Sequence, residues 1–91
     1  MIKDFQHKGL KELFEAGKSS KVRPDLVRRS LRILDVLEAA VSLDNLKIPG
    51  FDFHGLKGKP KRYSMHVNGP FCITFGWKDG HIINVKLENY H

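Results

Sequence analysis

Three histidines and a run of four cations are the side chains of this 91-residue chain best suited to work on a phosphodiester. Lys57, Lys59, Lys61 and Arg62 place four positive charges within six residues, a density that suits a phosphate backbone. His54 stands three residues before Lys57, His66 follows the cluster, and His91 is the last residue given. Imidazole titrates near neutral pH and is a ready proton carrier. Cleaving RNA through its own 2′-OH needs a base for that hydroxyl, cations for the charge developing around phosphorus, and an acid for the departing 5′-oxygen. The chain carries candidates for each role and calls for no cofactor. Plainer readings stay open beside this one: lysines clustered on a turn aid solubility, and histidines scattered through a small domain are often without chemical work.

Other chemistries find less support. No nucleophile elbow, P-loop or zinc-protease motif occurs. The five histidines and one cysteine have no finger-like spacing, so no metal site is expected. Cys72 lies in an alternating, strand-like stretch, where a cysteine is usually a packing residue and not a nucleophile. Being single, it forms no internal disulfide, and the chain reads as suited to a reducing cytoplasm. No apolar run approaches a membrane span, and the opening residues lack the apolar core of a signal peptide. The 16 Lys and Arg against 10 Asp and Glu leave a charge of +6, which favours RNA, DNA or an acidic protein as partner, or is simply a solvated surface.

These candidates need a scaffold, and residues 1–91 are enough for one domain with a single small core. The clearest element is a β-hairpin over Arg62–Trp77. Tyr63, Met65 and Val67 alternate with Ser64, His66 and Asn68; after the Asn68-Gly69 turn, Phe71, Ile73, Phe75 and Trp77 alternate with Cys72, Thr74 and Gly76. One side is apolar and must be covered; the other displays His66, Cys72 and Thr74. Upstream, Ile2–Phe5 suits a short edge strand, and Lys8–Ala16 a helix stopped by Gly17. A longer helix runs from Pro24 to about Val41, with Val27, Leu31, Leu34, Leu37 and Val41 as its stripe, broadened by Ile33 and Ala40. Its other face carries Arg28, Arg29 and Arg32, read either as a solvated face with Arg32 beside Asp35 or as an RNA contact. Leu43–Leu46 suits an extra turn, Phe51–Leu56 a strand, Lys78-Asp-Gly80 a turn, and His81–Leu87 a last strand. Strand, two helices, then strands in succession is an α+β order, with two N-terminal helices on one face of a small, mainly antiparallel sheet and a basic face left open.

With those residues in view, the chain resembles the HigB toxins of the RelE/ParE superfamily, nearly end to end. The resemblance rests on Met1-Ile-Lys-Asp-Phe5, Leu13-Phe14 with Gly17, Leu37-Glu-Ala-Ala40, Leu46, Pro49-Gly50 and Leu56-Lys-Gly58. It continues through Tyr63-Ser64, Val67-Asn68, Trp77-Lys-Asp-Gly80 and the closing Tyr90-His91. It implies a RelE-like fold and a HigA-type helix-turn-helix antitoxin, through which operator DNA is bound indirectly. It also implies an endoribonuclease (an mRNA interferase) that cuts mRNA in the A site of the 70S ribosome without a metal and so inhibits translation. Lys57 matches the family lysine that binds phosphate, Tyr90 and His91 match its terminal pair, and His54 falls where some members also have histidine.

The departures are specific. Members usually carry arginine at the positions of His66 and Cys72, an acidic residue at that of Asn89, and Trp or Tyr at that of Phe71. Neither imidazole nor thiol replaces a bidentate guanidinium. Lys59, Lys61, Arg62 and protonated His66 are the candidates to supply the missing RNA contacts. The alternative is a catalytically impaired or non-enzymatic protein of this fold that binds its antitoxin or another target such as gyrase.

Overall fold

The first helix, α1, spans Lys8–Ala16 because its start and stop are both written locally. His7 Nδ1 accepts the Leu10 backbone N–H at 3.1 Å, and Gly17 closes the helix in the left-handed region at φ 77. Leu10 and Leu13 point inward and are fully buried. The structure, a computed structural model, describes residues 1–89. Burial lowers the His7 pKa, and a protonated Nδ1 has no lone pair to accept the Leu10 N–H. With the folded pKa below the unfolded one, the contribution of His7 is complete above the unfolded value and is lost as pH falls through the folded one. Urea unfolding from pH 7.5 to 5.0 is therefore expected to show the protein losing more stability than its His7→Asn variant, whose cap does not titrate. Parallel curves for the two would refute this.

Helix α2 spans Pro24–Ala39, with Pro24 in the first turn and Asp25 beside the positive end of its dipole. The helix stops two residues short of the expected Val41. Asn45 Oδ1 accepts the backbone N–H groups of Val41 and Ser42 at 2.9 and 3.1 Å, which starts the 3₁₀ turn Leu43–Leu46. Val41, expected on the buried stripe, is instead 82% exposed. The buried stripe is Leu26, Ser30, Ile33, Leu34 and Leu37, so Val27 and Leu31 fall on its flank. The expected stripe lacked Leu26 and Ser30, the latter small and polar yet fully buried.

Four antiparallel strands follow in the order β1 (His54–Leu56), β2 (Arg62–Asn68), β3 (Phe71–Lys78) and β4 (His81–Asn89). β1 is shorter than the Phe51–Leu56 strand expected, because Asp52 turns the chain at φ 49 and Phe51 is drawn inward. The Ile2–Phe5 segment joins β4 through isolated parallel bridges, Ile2 with Ile82 and Phe5 with Val85. The hairpin faces as the alternation requires. Met65, Val67, Ile73 and Phe75 are buried in one cluster with Leu10, Leu13, Leu26, Ile33, Leu34 and Leu37. Tyr63, Phe71 and Trp77 rim it. This is an α+β fold with both helices packed on the apolar side of the sheet. No described helix is long and apolar enough to cross a membrane.

Candidate active site

The polar side of the sheet is built in rows by strand register. His54 pairs with Ser64, Ser64 with Thr74, and Thr74 with Lys86; one row along, His66 pairs with Cys72 and Cys72 with Glu88. Residues paired across a ladder project to the same face. His54, Ser64, Thr74 and Lys86 therefore cross this face side by side, next to His66, Cys72 and Glu88.

The centre of that face is less open than the alternation alone suggests. Ser64 and Thr74 are buried, at 1% and 0% exposure. Arg62 reaches across β3 toward β4. One guanidinium nitrogen (NH2) donates to both Thr74 Oγ1 and the Asn84 carbonyl at 2.9 Å. Thr74 in turn donates to a Glu88 carboxylate oxygen. Arg62 is thus a half-buried, oriented cation, and the rest of its planar fork remains for a ligand. Beside it, Ser64 Oγ is buried without a hydrogen-bond partner among the described residues.

His54 lies on the edge strand and is exposed, with Nδ1 2.8 Å from the Asp52 carbonyl. A carbonyl only accepts, so Nδ1 carries the proton in the neutral ring and Nε2 presents a lone pair. His66 is arranged the other way: its Nε2 lies 2.9 Å from the Gly69 carbonyl and is held to the hairpin turn.

The four clustered cations separate. Lys57 and Lys59 are exposed on the loop between β1 and β2, where Gly58 takes φ 117. Lys61 turns to the opposite side from Arg62, its Nζ donating to the Leu56 carbonyl at 3.1 Å and lying 5.8 Å from the centre of the Tyr63 ring. Strand alternation between 61 and 62 carried that signal. Tyr90 and His91 lie outside the described residues. The structure therefore brings together His54, Arg62 and Ser64, places His66 and Cys72 in the adjacent row, and sets Lys61 apart.

Sequence reasoning overlooked Ser64 and the Arg62–Thr74–Glu88 chain, whose partners stand 12 and 14 residues apart in sequence. It also read Arg29 and Arg32 as a solvated or RNA-contacting face, with Arg32 beside Asp35. Arg29 is instead half-buried, its guanidinium 4.2 Å from the centre of the Phe51 ring, while Arg32 stays exposed with its own 5.6 Å from that centre.

Comparison with known proteins agrees with this architecture. A family model described as the RelE-like toxin of type II toxin-antitoxin system HigB matches residues 3–91. The chain is 37% identical over 92 residues to a protein named Endoribonuclease HigB from Proteus vulgaris, with all of both chains covered. It is 33% identical over 91 residues to Toxin HigB-1 of Vibrio cholerae serotype O1 (strain ATCC 39315 / El Tor Inaba N16961), covering 97% of this chain and 96% of that one.

Proposed function

Because this chain belongs to the HigB-like family of RelE-like toxins of type II toxin–antitoxin systems, we propose that it is an endoribonuclease that cuts mRNA on the polar face of its sheet. The observation that carries the reading is Arg62, held by Thr74 and Asn84 over the face that His54 shares. In the proposed reaction the 2′-oxygen attacks the adjacent phosphorus as its proton passes to a base. The bond to the 5′-oxygen breaks as that oxygen takes a proton from an acid, leaving a 2′,3′-cyclic phosphate and a free 5′-hydroxyl. His54 Nε2 is the exposed candidate base. His91 is the candidate acid, and Tyr90, which precedes it in the sequence, is assigned with it from the family's terminal pair. Lys57 and Arg62 hold the phosphate and offset the charge that grows on its oxygens. Lys59 adds field from the same loop; Lys61 and His66, each engaged with a backbone carbonyl, contribute less.

As a type II toxin the chain has a protein antitoxin as partner. We place that partner in the HigA helix-turn-helix class, with operator DNA bound through it, and the substrate in the A site of the 70S ribosome in the cytoplasm. A second reading has its own support. The positions of His66 and Cys72 hold no guanidinium, which favours a toxin of this fold that binds a target without cutting RNA.

Primer extension on a defined message with purified ribosomes separates the two. Cuts within A-site codons are expected, and they should vanish with His91→Ala. Absence of cuts from folded, antitoxin-binding protein would retire the nuclease reading.

A further inference from the structure

We propose that a groove between α2 and the hairpin end of β2 is a second RNA seat, gripping the backbone of the polynucleotide beside the face where it is cut. The groove encloses about 510 Å³ and is lined by Arg28, Arg29 and Arg32 from α2 and by His66 and Asn68 from β2. Arg29 forms its floor. Its Nε donates to the His66 carbonyl at 3.2 Å, an NH2 donates to the Gly50 carbonyl, and the plane lies over buried Phe51. A guanidinium anchored this way places a positive charge in the groove without further ordering. Arg28 and Arg32 are exposed above it, one helical turn apart on the same side of α2, and neither has a carboxylate partner among the described residues. The one carboxylate on the rim, Asp25, is already engaged by Arg23 through two bonds of 3.0 and 2.6 Å.

Charge alone would suit an acidic protein as well. The groove, however, offers no apolar anchor. Phe51 and Val67 are 3% and 2% exposed, and the exposed large hydrophobic residues among those described, Met1 and Val41, are not in its lining. Protein interfaces draw most of their energy from buried aromatic and aliphatic anchors, whereas a nucleic-acid backbone needs only positioned cations. Arg28 and Arg32 sit about 5–6 Å apart at Cβ, as helix neighbours at this spacing do, which lets them take successive phosphates. His66 belongs both to the groove and to the His66–Cys72–Glu88 row of the cutting face, so a strand passing one reaches the other. The identity of the polyanion rests on the nuclease reading; the groove itself does not.

The test is binding of a fluorescent 2′-O-methyl RNA oligonucleotide, which cannot be cut because its 2′-oxygen is blocked. The full chain is compared with Arg28→Gln/Arg32→Gln at several salt concentrations, with thermal unfolding as a control for folding. The double variant should bind tenfold or more weakly, and its plot of log K against log salt should flatten by about 1.4 for two lost contacts to a single strand. Unchanged affinity and slope would overturn the proposal. So would unchanged RNA binding with weakened antitoxin binding, since the groove would then be a protein dock. Loss of RNA binding in the double variant, in a protein that makes no cuts on ribosomes, would keep the groove and remove the nuclease.

Discussion

Arg62→Ala should keep its fold and its antitoxin yet lose roughly a hundredfold or more in cleavage rate, the scale set by removing one positioned donor from a reacting oxygen. Arg62 extends over the polar face, and its NH2 is held by Thr74 on β3 and by the Asn84 carbonyl on β4. Thr74 is itself oriented by Glu88, so the cation is set in place before any phosphate arrives. Arg62→Lys keeps the charge but has one nitrogen with which both to anchor and to bind, so it should restore only a small part of the rate. Lys59→Ala and Lys61→Ala, which remove a loop cation and a cation on the opposite side, should each cost less than tenfold. Single-turnover cleavage of a ribosome-bound message reads all four. A rate for Arg62→Ala within threefold of the parent would show that the phosphate is held elsewhere.

Phe75→Ala should cost about 3–5 kcal/mol of stability, the range for emptying a buried aromatic site. Whole domains of this kind are stable by only about 5–15 kcal/mol, so the variant should be partly unfolded at 37 °C. Phe75 is fully buried at the middle of β3 and stacks with Tyr63 at 6.0 Å and Phe53 at 6.4 Å between ring centres. Phe53 immediately precedes β1, so this stack also holds the strand carrying His54 against the sheet. Phe75→Leu, which keeps most of the volume, should lose less than half as much. Urea unfolding followed by fluorescence of the single tryptophan, Trp77, checks both. Equal midpoints for parent and Phe75→Ala would mean the core closes over the gap.

What the sequence made legible follows from the range of each interaction. The hairpin was plain because alternation over residues 63–77 is a local pattern with one physical solution. The bounds of α1 were plain for the same reason, Gly17 being its own stop. The end of α2 was not, since Asn45 competes for the Val41 and Ser42 amides, and a side-chain cap beyond the stripe leaves no trace in periodicity. In the site, His54 and Arg62 stood out by type. The posture of Arg62 did not, because it depends on Asn84, 22 residues away. Arg29 was the furthest from view: its carbonyl acceptor on His66 lies 37 residues along the chain, and no spacing rule joins a helix arginine to a strand's backbone.

The parallel bridges between the opening residues and β4 bear on when the polar face of the sheet is completed. Residues 2–5 have no sheet to join until residues 82–85 exist, and the Asp4 carboxylate meets the Asn84 amide across 80 positions. Contacts this distant in sequence close late. Arg62 likewise has no second anchor until β4 has emerged from the ribosome. The cation of the polar face is therefore oriented only when β4 closes the sheet, as late in folding as the contacts that dock the opening residues.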